Sequence, residues 1–175
     1  MAGNPYFNIA FTPKVMELQS KAGSRDAYAR QGPRPGGNAA LRAEEIAFIA
    51  ERNGFYLASV SETGWPYVQF RGGPRGFVKP IGPTQLGWAD FRGNQQFQTA
   101  GYVEHDERVS LFFMDYNGKR RLKIYGRLRF LDARCEPEWV EQMKMPEYRA
   151  TIDRIALVEI AAWDRNCPQH ISVPL

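Results

Sequence analysis

Residues 108–130 run RVSLFFMDYNGKRRLKIYGRLRF. The first limb is rich in aromatic and apolar residues. It leads into Asn117-Gly118, the strongest two-residue hairpin signal in the chain, because both central positions of a type I′ turn need positive φ. The returning limb alternates cleanly. Leu122, Ile124, Leu128 and Phe130 fall on one face, and Arg121, Lys123, Tyr125, Arg127 and Arg129 fall on the other, following the strand side-chain period of two. One face meets a core and the other is cationic.

Working outward, FYLASV (55–60) and WPYVQF (65–70), separated by Glu62-Thr63-Gly64, read as a hairpin. Residues 77–81 and 84–89 read as the next pair. The segment 94–101, NQQFQTAG, has few β-branched residues and predicts a short helix. A polar turn at 104–107 precedes the central hairpin, a short helix is predicted over 136–144, and RIALVEIAAW (154–163) reads as a final, almost fully buried strand. On the N-terminal side, Thr12-Pro13 is a helix start. Val15, Met16, Leu18, Ala22 and Tyr28 would continue it, but Gly23 and Ser24 weaken its middle, so a short or broken helix is expected. Residues 31–38 contain GPRPGG, which propagates neither regular structure, so an arm over 1–38 precedes a main domain over 39–175. Residues 41–52 make one amphipathic helix stopped at Asn53-Gly54. About six short antiparallel strands with short flanking helices define a mainly β (α+β) chain, a barrel or sandwich in preference to a doubly wound sheet.

The 175 residues, 43% of them hydrophobic, suffice for one core. No apolar run approaches the roughly 18 residues a membrane span requires. The start lacks a secretory pattern, so the expected compartment is the cytoplasm. Cys135 and Cys167 are too few and too far apart for a disulfide framework or a CxxC site and are expected to be reduced thiols. A net charge of +4 favours anionic partners; a nucleic-acid partner would need a continuous basic stripe that the sequence does not display.

His105 and His170 belong to no metal-ligand pattern, and His105 in EHDER reads as a solvated turn. There is no GxSxG, Walker loop or GxGxxG. Hydrolase, kinase and Rossmann readings are disfavoured, and attention moves to cofactor cradles, where the cofactor carries the chemistry. In RGGPRGFVK (71–79), three glycines let backbone amides approach an anion while Arg71, Arg75 and Lys79 neutralise it. A glycine-rich turn with solvated charges is the plain alternative. DFRGNQQFQ (90–98) adds a turn and an expected helix N-terminus carrying Asn94, Gln95 and Gln96, which would present free amides to phosphate.

From Gly54 to about Phe130 the order of motifs resembles the FMN-binding split-barrel family typified by pyridoxamine 5'-phosphate oxidase, especially its smaller flavin-nucleotide-binding relatives. The resemblance rests on RGGPRGFVK, WADFRGNQQFQ, DERVSLFFMDY and RRLKIYGRLRF, with NCPQHI near the end similar to a closing motif of those relatives. It implies a six-stranded antiparallel split β-barrel and a homodimer with FMN at the subunit interface. It puts Arg75, Phe77, Val78 and Lys79 on the strand that meets the flavin, with Lys79 reaching the phosphate and Arg71 assisting. Ala89 and Asp90 would border the isoalloxazine, and Asn94, Gln95 and Gln96 the phosphate and ribityl oxygens. The family often has arginine where this chain has Gln95, which can hydrogen-bond phosphate but not neutralise it. Weak flavin retention would follow.

Trp88 and Phe77 read as barrel core. On the cationic face, Arg121 and Arg129 are about 26 Å apart at roughly 3.3 Å per residue, too far to grip one phosphate, so only Arg121 and Lys123 are candidates; a solvated face is the alternative. The implied activity is an FMN-dependent oxidoreductase acting on a small molecule. Pyridoxamine phosphate does not carry over as substrate, because the oxidases bind it with an Arg-x-His motif and His170 stands in PQHI without that arginine. Competing readings are a non-catalytic carrier or sensor of flavin, haem or deazaflavin, and a basic barrel binding single-stranded nucleic acid.

Overall fold

The computed structural model describes residues 4–31, 38–165, 169 and 171; GPRPGG, Cys167, His170 and most of NCPQHI lie outside them. The strands are β1 (Gly54–Val60), β2 (Pro66–Gly72), β3 (Lys79–Gly82), β4 (Gln85–Phe91), β5 (Arg108–Asp115), β6 (Arg120–Asp132) and β7 (Ile152–Arg165). They form one antiparallel sheet in the order β2-β1-β5-β6-β7-β4-β3, seven strands where the sequence suggested about six. The flanking helices are α1 (Pro5–Ala10), α2 (Pro13–Lys21), α3 (Arg25–Arg30), α4 (Ala43–Ala50), α5 (Gln98–His105) and α6 (Pro137–Met143).

The sheet curls until its distant parts meet inside. Phe55 of β1 packs against Trp88 of β4 at 5.2 Å, Phe113 of β5 at 4.8 Å and Phe77 at 6.0 Å between ring centroids. Leu57, Leu86, Leu111, Ile124 and Leu128 complete this interior, each contributing about 1.5–3 kcal/mol by burial. The continuous apolar run of β7 has a tertiary cause. Ala156, Val158 and Ile160 face the barrel interior, while Ile155 and Leu157 face a second cluster with Met143, Trp139 and Val140 of α6. From Ile155 to Val158 both faces are dry and neither needs polar side chains, whereas Glu159 and Ala161 further along are exposed.

The 108–130 hairpin forms with the expected alternation, but its turn is longer than Asn117-Gly118. Asp115 pairs with Arg120, leaving residues 116–119 as the loop, and the left-handed residue is Lys119 at φ 49°. The Asp115 carboxylate accepts from Gly118 N at 2.8 Å, a side-chain bond that competes with a two-residue turn. Glycine is required elsewhere: a Cβ on Gly126 would lie 2.5 Å from Val158 Cγ1 and 2.7 Å from the Glu159 carbonyl, at the β6–β7 register shift.

The arm is helical and docks on the sheet. Its helix breaks between α2 and α3, where Gly23 has φ 72°. Tyr6 of α1 is buried and stacks on Tyr125 of β6 at 5.1 Å. The chain returns through Asn38, which donates to the Trp163 carbonyl at 2.9 Å, while Trp163 Nε1 donates to the Ala40 carbonyl at 2.9 Å.

Candidate functional site

β2 and β4 stand far apart in sheet order, yet curvature brings them together around Asp90. Arg71 Nη1 donates to Asp90 Oδ1 at 2.8 Å, and Arg154 Nε and Nη2 donate to Oδ2 at 3.0 and 2.6 Å. Arg154 is the direct cross-strand neighbour of Asp90 on β7, whereas Arg71 reaches across the seam. Two guanidinium groups against one carboxylate leave one positive charge at a site where Asp90 is only 4% exposed.

The loop from β4 to α5 covers this cluster. Gln95 and Phe97 hold left-handed φ values of 58° and 55°, conformations that cost non-glycine residues about 1–3 kcal/mol and concentrate at ligand sites. Arg154 lies against two rings, 4.5 Å from the Phe130 centroid and 5.3 Å from that of Phe97. At the loop's start Arg92 grips Asp153 through three contacts of 2.9–3.2 Å, which raise the arginine pKa above its ordinary value. A polar cavity of about 70 Å³ opens between loop and cluster, lined among others by Tyr67, Gln69, Asn94, Gln95, Gln96 and Thr99. It has room for one phosphate-sized group.

Arg71, Asp90, Asn94, Gln95 and Gln96 thus line one cavity. The expected helix N-terminus does not sit on Asn94–Gln96, because Asn94 Oδ1 accepts from Gln96 N at 3.2 Å and holds a local turn; α5 begins at Gln98. His105 closes α5 instead of lying in a turn. Phe77 and Val78 are buried in the core, so only their backbone is available to a ligand, and Ala89 packs in the second core cluster beside α6. Arg75 is exposed on the turn before β3. Lys79 Nζ donates to the carbonyls of Gln142 and Lys144, at 2.7 and 3.1 Å, at the C-terminal end of α6. Lys123 sits 3.4 Å from Asp164 and 4.6 Å from the Tyr6 ring centroid. Arg121 lines a separate cleft with Phe48 and Arg165. In the strand pairing, Leu122 opposes Arg165 while Asp132 opposes Arg154. Lys123 and Arg121 therefore lie about 30 and about 36 Å along β6 from the Asp90 cluster at ~3.3 Å per residue.

Arg154, Tyr67, Gln69, Phe97 and Thr99 escaped the sequence reading. Arg154 left one signal, a lone cation heading an apolar strand, but its partner is 64 residues away.

Residues 41–164 match the family model described as pyridoxamine 5'-phosphate oxidase. No curated protein matches the chain by sequence. Among solved structures, a putative pyridoxamine 5'-phosphate oxidase from Lactobacillus delbrueckii aligns with TM-score 0.54 and 15% identity over 72% of this chain and 94% of its own. An FMN-binding protein from Syntrophomonas wolfei aligns with TM-score 0.53 and 10% identity over 71% and 87%. HupZ from Group A Streptococcus aligns with TM-score 0.55 and 10% identity over 77% and 100%. These similarities establish a shared fold, and the family match spans well over half of the sequence: the chain belongs to the pyridoxamine 5'-phosphate oxidase family.

Proposed function

We propose that this protein binds FMN and works as a flavin-dependent oxidoreductase on a small molecule, as a homodimer with the flavin at the subunit interface. The observation that carries the reading is the Arg71–Asp90–Arg154 cluster beneath the strained Gln95–Phe97 loop, two guanidinium groups on one carboxylate beside a polar cavity. The donor set fits a phosphomonoester. Arg71 and Arg154 supply charge, and Asn94, Gln95 and Gln96 supply side-chain amides. The solved FMN-binding relative has the same fold. When bound, the flavin supplies hydride or electron transfer; the chain's own residues bind, orient and shield it.

An exposed apolar surface supports the dimer reading. On the outer face of β1 and β2, Tyr56 pairs with Phe70, Ala58 with Val68 and Val60 with Pro66, and Tyr56, Val60, Val68 and Phe70 are all exposed, as is neighbouring Trp65 at 75%. An apolar row of this kind is what a subunit contact buries. Among the described residues no helix is long and apolar enough to cross a membrane.

The test is reconstitution with FMN followed by gel filtration and absorption spectroscopy, then assay of reduced-nicotinamide oxidation. Flavin co-eluting at dimer size supports the binding proposal, and turnover distinguishes enzyme from carrier. A chain that retains no flavin at any added concentration refutes it. Val68→Glu should yield monomers and lower flavin retention.

A further inference from the structure

A cavity of about 760 Å³ opens between α5, the second half of β6 and the start of β7. Val103 of α5 and Leu128 of β6, both members of the main core, line it, so it enters the barrel at the end that α5 covers. Barrel mouths are common small-molecule sites, and the volume lies within the roughly 300–1,000 Å³ of such pockets. Phe97, Phe130, Leu131 and Ile152 extend the apolar wall. Phe97, Asp153 and Arg154 also line the phosphate-sized cavity, so the two spaces share a wall.

The charges around this cavity leave a remainder. Four arginines and four carboxylates line it. Arg92 pairs with Asp153 and Arg134 with Asp132 inside it, while Arg154 is held by Asp90 and Glu107 by Arg127, at 2.6 and 2.7 Å. Arg129 and Glu104 remain. Both are exposed, and among the described residues neither side chain has an ion-pair or hydrogen-bond partner. The Leu128 N–H donates to the Glu107 carbonyl at 2.8 Å, which brings the end of α5 alongside β6 next to Arg129. One uncommitted cation and one uncommitted anion beside an apolar wall complement a molecule that carries one charge of each sign on an apolar body.

We propose that this cavity binds a short apolar peptide as its zwitterion, with the C-terminal carboxylate on Arg129, the N-terminal ammonium group on Glu104 and the side chains against Phe97, Phe130 and Ile152. A guanidinium takes a carboxylate through two parallel N–H···O bonds, which fixes orientation as well as charge. Two or three extended residues span about 7–11 Å, which lets one molecule reach both charged groups. At ~30 Å³ per water the cavity has the space of about 25 waters, room for the side chains as well. The site makes no use of the flavin and stands apart from the proposed function.

The test is calorimetric titration of the full chain with the dipeptide Phe-Leu, its C-terminal amide and its N-acetyl derivative. Phe-Leu should bind saturably, and amidation or acetylation should each weaken it about three- to tenfold, the scale of a charged hydrogen bond partly screened by solvent. Arg129→Gln should lose the same factor for Phe-Leu and bind acid and amide equally, and Glu104→Gln should bind the free and acetylated amines equally. Both side chains are exposed, so the variants should keep the wild-type urea midpoint. No saturable binding of Phe-Leu up to about 5 mM overturns the proposal, and so does a variant that still discriminates between the paired ligands as the wild type does. Neither result bears on the FMN titration, which tests the proposed function separately.

Discussion

Arg154→Gln should reveal how strongly the seam cluster holds the barrel together. Asp90 is 4% exposed and Arg154 24%, with bonds of 3.0 and 2.6 Å between them. Removing one partner of a fully buried pair costs about 3–5 kcal/mol. Here Arg71 still holds Asp90 at 2.8 Å, and Arg154 is partly solvated, which together reduce the expected loss to about 2 kcal/mol. Loss of the guanidinium over Phe130, at 4.5 Å, adds about 0.5–1 kcal/mol. A total of about 2–3 kcal/mol lowers the melting temperature by about 4–12 °C for a chain of this size. The assay is urea unfolding of wild type, Arg154→Gln, Asp90→Asn and the double variant. Both single variants leave a charge buried and short of partners, so the cycle should give a coupling energy above ~1 kcal/mol. Coupling below ~0.5 kcal/mol would refute the cluster as a cooperative unit and would weaken its assignment as a preorganised anion site.

Gly126→Ala should destabilise by about 1–3 kcal/mol through overpacking, because the new Cβ meets Val158 and the Glu159 carbonyl; an unchanged urea midpoint would argue against the register shift. Lys79→Met should cost about 1 kcal/mol by uncapping α6 while FMN affinity changes less than about threefold; a larger drop in affinity would return Lys79 to the phosphate. The Gly118 N–H, with Arg120 and Arg52, holds the Asp115 carboxyl below its ordinary value of 3.8. A depressed folded pKa stabilises above the unfolded value and that contribution is lost as pH falls through the folded one. Asp115→Asn should therefore be less stable than wild type at neutral pH, and the gap should shrink below about pH 4; a constant gap would remove the charge-based account. Burial raises the Tyr6 pKa above 10.0, so arm docking is intact below that value and should weaken as pH rises through the folded pKa. Tyr6→Phe should then undock at higher pH than wild type, read by limited proteolysis of the arm.

The strand periods, the hairpin order and the glycine- and arginine-rich segments were legible in residues 54–130 because each is a local pattern: period two, Asn-Gly, Gly-Gly-Pro-Arg-Gly. From them came the mainly β architecture, the resemblance that the family match bears out, and the grouping of Arg71, Asp90 and Asn94–Gln96. What folding alone decided is which of these residues share a space. Lys79 and Asp90 lie eleven positions apart, yet the Lys79 amine caps α6 while Asp90 faces the seam. Arg154 joins the site from the far end of the chain because β7 runs antiparallel beside β4 in that register. The longer Asp115–Arg120 turn and the late start of α5 were set by the Asp115 and Asn94 side chains bonding nearby amides. Periodicity tells which face a side chain takes; only the curvature of the closed sheet brings β2 to β4, and with them two arginines and one carboxylate.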